Sequence, residues 1–355
     1  MKSKTDLWPL AALLLTAACG GERVARLAGA ESYLAPEPAA PATDPRFVDE
    51  AAALELGQVL FHEPRLNLDQ RTSCAGCHIP WKGFAGPPLK RTDGTRRDVP
   101  SLIGAAGRER LGWTGELGDF AAAVAHPFGD VDGFGSSNIG LLRAFNDDQT
   151  LQASYRAAFG VPPATDDEPR LVADVQAALG RYVAELADLE GPFDRGVADP
   201  SGAPLAADAR RGWEVFRSKG CARCHSGPNF TDDELRWHGL MPLDRDPEPE
   251  LEDDPLLALE GEREAKRPAP VRTPSLRNVT RTAPYMHDGR FATLDRVLDF
   301  YERGVEETRE ETGMASVVFS ARERADLLAL FTALETDVLP AARTGATVPP
   351  TAVAK

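Results

Sequence analysis

A chain of 355 residues with 42% hydrophobic content is long enough to bury two separate cores. Its formal net charge of -15 argues against nucleic acid and anionic membrane surfaces as partners, since both would repel it, and suits a basic or neutral partner instead.

In chain order, the first element is an export signal. Lys2 and Lys4 precede the apolar run LWPLAALLLTAA, which ends in small residues just before Cys19. Residues 1–18 read as a signal peptide, too short to span a membrane as a mature helix. LTAAC looks like a bacterial lipoprotein cleavage site, with Thr16 where leucine is commoner, so Cys19 is expected to become a lipidated N-terminus. A plain secretory signal with a leftover thiol is the alternative. The expected address is periplasmic, with outer-membrane attachment through the lipid alone. Residues 19–45, rich in Ala, Pro and Gly, read as a flexible tether.

A first domain is expected over 46–196. FVDEAAALELGQVLF has helical periodicity and feeds Pro64; LRAFNDDQTLQASYRAAFG and RLVADVQAALGRYVAELAD are further helices, and GPFDRG closes the unit. A second domain follows over 197–340. It opens with the helix APLAADARRGWEVFRSKG and ends with the helices TLDRVLDFYERG and SARERADLLALFTALETD. Between them the run Asp244 to Asp254, DRDPEPELEDD, reads as a solvated loop in preference to a docking site. Residues 341–355, rich in Thr, Ala and Pro, read as a disordered tail.

Each opening helix leads into the same pattern. Cys74-Ala75-Gly76-Cys77-His78 and Cys221-Ala222-Arg223-Cys224-His225 are both C-x-x-C-H, the attachment signature of c-type haem: two thiols add to the vinyl groups and the adjacent histidine ligates iron. Zinc would want four grouped ligands, and a redox C-x-x-C does not need the histidine. Two covalent haems, on Cys74, Cys77 and His78 and on Cys221, Cys224 and His225, account for a duplicated unit of helix followed by motif. Strand signals are scarce, so the expected class is all-α: two cytochrome c-like haem domains with extensive irregular loops.

The opposite face of each iron decides function. The remaining histidines are His62, His126, His238 and His287, and the methionines are Met1, Met241, Met286 and Met314. In TLDRVLDFYERG, Leu294, Val297, Leu298 and Tyr301 share one apolar face, so Tyr301 points inward, either as a hydrogen-bonded core tyrosine or as something more.

The motifs LGQVLFHEPRL before SCAGCH, RRDVPSL, LGW-x-G, CARCHSGPNFTD, VRTPSLRNVTRTAPYMHDGRFATL and the following DFY resemble the bacterial dihaem cytochrome c peroxidase/MauG family over about residues 50 to 335. The resemblance is closer to MauG, because Tyr301 falls where the peroxidases carry a methionine ligand to the second haem and MauG a tyrosine. It implies Tyr301 as second axial ligand, with Met286 a neighbour. It implies an open first haem as well, since IPWKGFAGPPLKRTDGTRRD holds no histidine that could cap it. Trp113 matches the bridging tryptophan between haems. Thr282 and Pro284 match carbonyl ligands of a bound calcium, with Asp98 in place of an asparagine ligand.

The pattern breaks over the open haem. Ala123 and Gly133 stand where relatives place a glutamine and a glutamate, while Pro127 matches their distal proline. His126 beside it is a candidate for the missing proton transfer, as are Asp130 and Asp132; a surface or core role for His126 is the alternative. The function implied is a MauG-like oxidoreductase that uses hydrogen peroxide at the first haem to form a shared high-valent state. That state would oxidise an unidentified electron donor, a protein or a small substrate, by long-range transfer. A cytochrome c peroxidase fed by a small redox protein is one alternative. A non-catalytic dihaem carrier or sensor is another.

Overall fold

The computed structural model describes residues 27–34, 44–67, 69–90, 96–129, 138–187, 189–199, 201, 205–236, 270–303 and 317–336. Residues 1–18, Cys19, the acidic run 244–254, Asp130, Asp132, Gly133 and the tail 341–355 lie outside these.

Helix α1, Glu50–His62, starts where the Asp49 carboxylate accepts the Ala51 and Ala52 N–H groups, and it buries Leu56, Leu60 and Phe61. Short helix α2, Cys74–Cys77, carries the first motif. Helix α3, Phe120–Gly129, is additional to the expected helices and holds Pro127 near its end. The single helix expected over 142–160 is two, α4 Ile139–Asp147 and α5 Gln149–Phe159, because Asp148 turns out of the first and caps the second through the Thr150 and Leu151 N–H groups. Helices α6 Glu168–Ala184 and α7 Pro192–Ala198 follow.

The second half contributes α8 Ala207–Ser218, α9 Leu294–Arg303 and α10 Ala321–Ala333, the last opened by a Ser320–Glu323 capping box. Two small antiparallel pairs complete the described structure: β1 Gly86–Lys90 with β2 Arg96–Val99, and β3 Leu235–Arg236 with β4 Val271–Arg272. The class is therefore mostly helical with irregular connections. No described helix is long and apolar enough to cross a membrane.

The two halves repeat one packing device. In each, the helix that precedes the motif crosses a later helix at a glycine. A Cβ on Gly57 of α1 would fall 2.0 Å from the Ala178 carbonyl oxygen of α6, and one on Gly212 of α8 would fall 2.0 Å from the Asp326 carbonyl oxygen of α10. Only hydrogen fits at either crossing. Each crossing centres a separate apolar core, one with Leu56, Phe61, Phe145 and Tyr155, the other with Trp213, Phe216, Phe230 and Leu330.

The second core also takes in residues expected elsewhere. Ala30 and Tyr33, placed by composition in the tether 19–45, are buried in it; Tyr33 packs edge-on against Trp213 with ring centroids 4.9 Å apart. The stretch 27–34 is thus docked, held by Trp213 Nε1 donating to the Ala28 carbonyl at 3.2 Å. Phe193 belongs to this core as well, which moves the change from one core to the other ahead of the expected boundary at 196.

Candidate haem clefts

In both motifs a single turn gathers the thiols and the imidazole. The Cys74 carbonyl accepts the His78 N–H at 2.7 Å, and the Cys221 carbonyl accepts the His225 N–H at 3.0 Å. The imidazoles are oriented alike. His78 Nδ1 lies 3.0 Å from the Phe84 carbonyl oxygen, and His225 Nδ1 lies 3.2 Å from that of Phe230 and 3.1 Å from that of Pro274. With Nδ1–H donated to a carbonyl, Nε2 keeps its lone pair for a metal. Burial lowers both histidine pKa values, so both rings are held neutral, the form that ligates.

Phe84 and Phe230 share an uncommon backbone. Their φ values are +56° and +52°, left-handed for residues with a bulky side chain, and both rings are fully buried. That strain is what aims their carbonyls at the histidines. The signal was present in the sequence as a phenylalanine six residues after His78 and five after His225.

All four motif cysteines are of intermediate exposure. Burial pushes Cys74 up to about 12 and Cys221 up to about 11, which holds both as neutral thiols. Among the described residues no three His, Cys, Asp or Glu side chains gather to hold a metal. His78, His225 and Tyr301 keep intermediate exposure although protein surrounds each of them, as side chains lining a cleft do. Paired thiols and one neutral imidazole at the wall of a cleft fit haem c.

Helix α9 brings Tyr301 to the second cleft. Burial, and then the Cys221 and Cys224 side chains, hold its phenol above the ordinary tyrosine range. Leu298 of the same face is buried, with Leu294 packed beside that core.

Trp113 is buried between the halves. Its Nε1–H donates to the Asp98 carbonyl at 2.7 Å, and its own carbonyl accepts the Arg272 N–H at 2.7 Å. Asp98 is two residues from Pro100, whose carbonyl faces His78; Arg272 is two residues from Pro274, whose carbonyl faces His225. Trp113 thus bridges the two proximal segments, through its indole N–H on one side and its backbone carbonyl on the other. His287, which sequence reasoning left without a role, meets Trp113 edge-on at 6.5 Å, and burial lowers its pKa to about 4.

The expected calcium residues come together only in part. Asp98 is buried, its Oδ1 has no hydrogen-bond partner, and burial together with the nearby Asp288 carboxylate pushes it up to about 8. Lys82 Nζ donates to the Ala283 carbonyl at 3.2 Å, between Thr282 and Pro284, and its charge pulls Asp98 back down. A buried carboxylate with an open oxygen suits a cation, and Lys82 already brings one charge there. Over the first domain, His126 is exposed on α3 and Pro127 half-buried.

The chain is similar to known proteins. The profile of the family "Di-haem cytochrome c peroxidase" matches residues 51–201. The methylamine utilization protein MauG of Methylorubrum extorquens is 31% identical over 79% of this chain and 78% of its own length. A cytochrome-c peroxidase of Denitromonas iodatirespirans is 32% identical over 74% and 75%. In fold, the chain is similar to a MauG-like protein associated with microbial copper homeostasis, with a TM-score of 0.66 and 24% identity over 86% of this chain and 94% of that one. It is similar also to the diheme peroxidase BthA of Burkholderia thailandensis, with a TM-score of 0.61 and 23% identity over 82% and 89%. The chain belongs to the dihaem cytochrome c peroxidase/MauG family of haem oxidoreductases.

Proposed function

We propose that this peroxidase-type enzyme is a MauG-like oxidase: hydrogen peroxide is consumed at the first haem, and an electron donor, protein or small molecule, is oxidised at a distance. The observation that carries the reading is Tyr301, a phenol on α9 that is surrounded by protein and near enough to Cys221 and Cys224 for their charge to raise its pKa. When bound, the haems supply the redox chemistry, peroxide cleavage at one and storage of an oxidising equivalent at the other.

The chain's own residues do the rest. Cys74 and Cys77, and Cys221 and Cys224, attach the haems covalently, and His78 and His225 present Nε2. With haem bound, Tyr301 would give up its phenolic proton and present a hard anionic oxygen, which disfavours the reduced state that a thioether would favour. Its raised pKa means that a buried phenolate needs a cationic partner, and ferric iron is one. Trp113, fixed at both its N–H and its carbonyl, carries charge between the halves. His126, or Asp130 or Asp132, would move the proton when peroxide is bound, since an imidazole or carboxyl can both accept and release one. Asp98, Thr282 and Pro284 hold calcium. Export and lipidation at Cys19 put the enzyme in the periplasm, on a lipid anchor.

Electron paramagnetic resonance of the resting holoprotein beside Tyr301→Phe, before and after stoichiometric peroxide, tests this. A changed low-spin signal for the second haem in the variant is expected, together with a direct reaction of the ferric wild type with peroxide. An unchanged low-spin signal overturns the ligand role. The second reading, a peroxidase drawing electrons from a small cytochrome or cupredoxin, is favoured by the similar identity to a cytochrome-c peroxidase. It requires turnover with such a donor.

A further inference from the structure

Arg108 and Arg272 are 7% and 2% exposed; the Arg272 N–H donates to the Trp113 carbonyl, and Arg272 is near enough for its charge, after burial, to lower the pKa of Arg108. Their polar contacts are few. Arg272 Nε donates to the Gly112 carbonyl at 3.0 Å, and its Nη1 to Asp233 Oδ1 at 2.7 Å and to the Thr273 carbonyl at 3.3 Å. Arg108 Nη2 donates to the Ile103 carbonyl at 3.2 Å, and its buried Nε has no hydrogen-bond partner. Among the described residues, Asp233 pairs with Arg272 at 2.7 Å and its charge also acts on Arg108. Two buried positive charges therefore share one negative charge, and one fork has an open N–H.

Buried charge left unbalanced destabilises the fold. A second carboxylate would remove that cost, and a guanidinium fork is shaped to take one in two-point contact. The position says where it comes from. Arg108 is anchored at Ile103, three residues from the Pro100 carbonyl that faces His78, and Arg272 is two residues from the Pro274 carbonyl that faces His225.

We propose that Arg108 and Arg272 form a carboxylate-binding pair for haem propionates at the boundary between the two halves. This rests on the reading that both motifs hold haem. With haem bound, the pair would serve as more than structural charge: it would hold propionate oxygens and make electron uptake at that haem easier.

The test uses holoprotein of the wild type, Arg108→Leu and Arg108→Lys. Pyridine haemochrome assay of two haems per chain checks the underlying reading separately. Resonance Raman of the propionate bending modes and a spectroelectrochemical titration then test the proposal. In Arg108→Leu, a propionate bending band shifts and at least one midpoint potential falls. In Arg108→Lys, which keeps the charge and loses the fork, the band shifts while the potential stays near that of the wild type. If Arg108→Leu does not fold, the Lys variant still decides through its band. Unmoved propionate bands with two haems bound overturn the proposal, and a potential that falls with unmoved bands assigns Arg108 to remote charge alone.

Discussion

Arg277 and Asp194 form a two-armed ion pair, with Nη1 to Oδ2 at 2.6 Å and Nη2 to Oδ1 at 2.8 Å, inside the second core. The guanidinium side chain has no exposure to solvent. Its remaining donors reach the Pro228 carbonyl at 2.9 Å, beside the second motif, and the Tyr33 carbonyl at 3.1 Å, on the docked N-terminal stretch. One side chain therefore ties three segments distant in sequence. Removing one partner strands the other charge in a low-dielectric site. Arg277→Met is expected to cost about 3–5 kcal/mol. The double variant Arg277→Met/Asp194→Asn recovers part of that loss, because no bare charge remains. Urea unfolding of the holoprotein, followed by far-UV circular dichroism, measures both.

Gly212 offers a packing test of the duplicated crossing. With a Cβ 2.0 Å from the Asp326 carbonyl oxygen and 2.9 Å from the Leu330 side chain, Gly212→Ala cannot be accommodated unless α8 and α10 move apart. A loss of roughly 1–3 kcal/mol is expected, as for other overpacked cores. A substitution at Gly196, 2.7 Å from the Leu205 backbone nitrogen, serves as a comparison outside the crossing. Thermal unfolding of both variants would show whether the α8/α10 crossing is the tighter constraint.

The two haem units were legible because their signals are local: helical periodicity ahead of a five-residue motif, with caps such as Asp49 and Ser320 nearby. Other features were not. The split at Asp148 sits between two stretches that share one helical periodicity, and its carboxylate on the Thr150 and Leu151 N–H groups starts the second helix. Helix α3 was masked by Pro127, a residue that usually signals a break. Tyr33 looked like part of a tether because its partners, Trp213 and Phe230, lie some 180 residues away. The pairing of Arg108 with Arg272 and the contact of His287 with Trp113 depend on the same kind of long-range closure, which composition and spacing do not encode.

Trp113→Phe removes a buried donor to the Asp98 carbonyl while keeping an aromatic ring at the boundary. Stability is expected to fall by about 1 kcal/mol, the net worth of one such hydrogen bond. Electron exchange between the haems is expected to slow, because the replacement ring is smaller and harder to oxidise. Stopped-flow spectroscopy after a single addition of peroxide, read at wavelengths that separate the two haems, reports this directly. Exchange as fast as in the wild type would remove Trp113 from the route.

The segment joining Asp98 and His287, where the Asp98 N–H donates to the His287 carbonyl at 2.9 Å, predicts an unusual pH dependence of stability. Asp98 is raised by burial to about 8. Its folded-state pKa lies above its unfolded one, so the unfolded chain loses the proton first, and stability falls as pH rises from about 4 to about 8. His287 is lowered by burial to about 4. Its folded pKa lies below the ordinary histidine value of about 6.5, so its contribution is complete above that value and is lost as pH falls toward about 4. Each slope is at most about 1.4 kcal/mol per pH unit. The two oppose one another between about 4 and 6.5 and leave a net fall between about 6.5 and 8. His287→Gln removes the compensating slope and extends the fall down to about pH 4, whereas Asp98→Asn abolishes it. Calcium bound at Asp98 keeps the carboxylate ionised in the folded state and erases the same slope. Unfolding at a series of pH values, with calcium and with a chelator, should therefore differ most near pH 8, and identical curves would exclude calcium from this site.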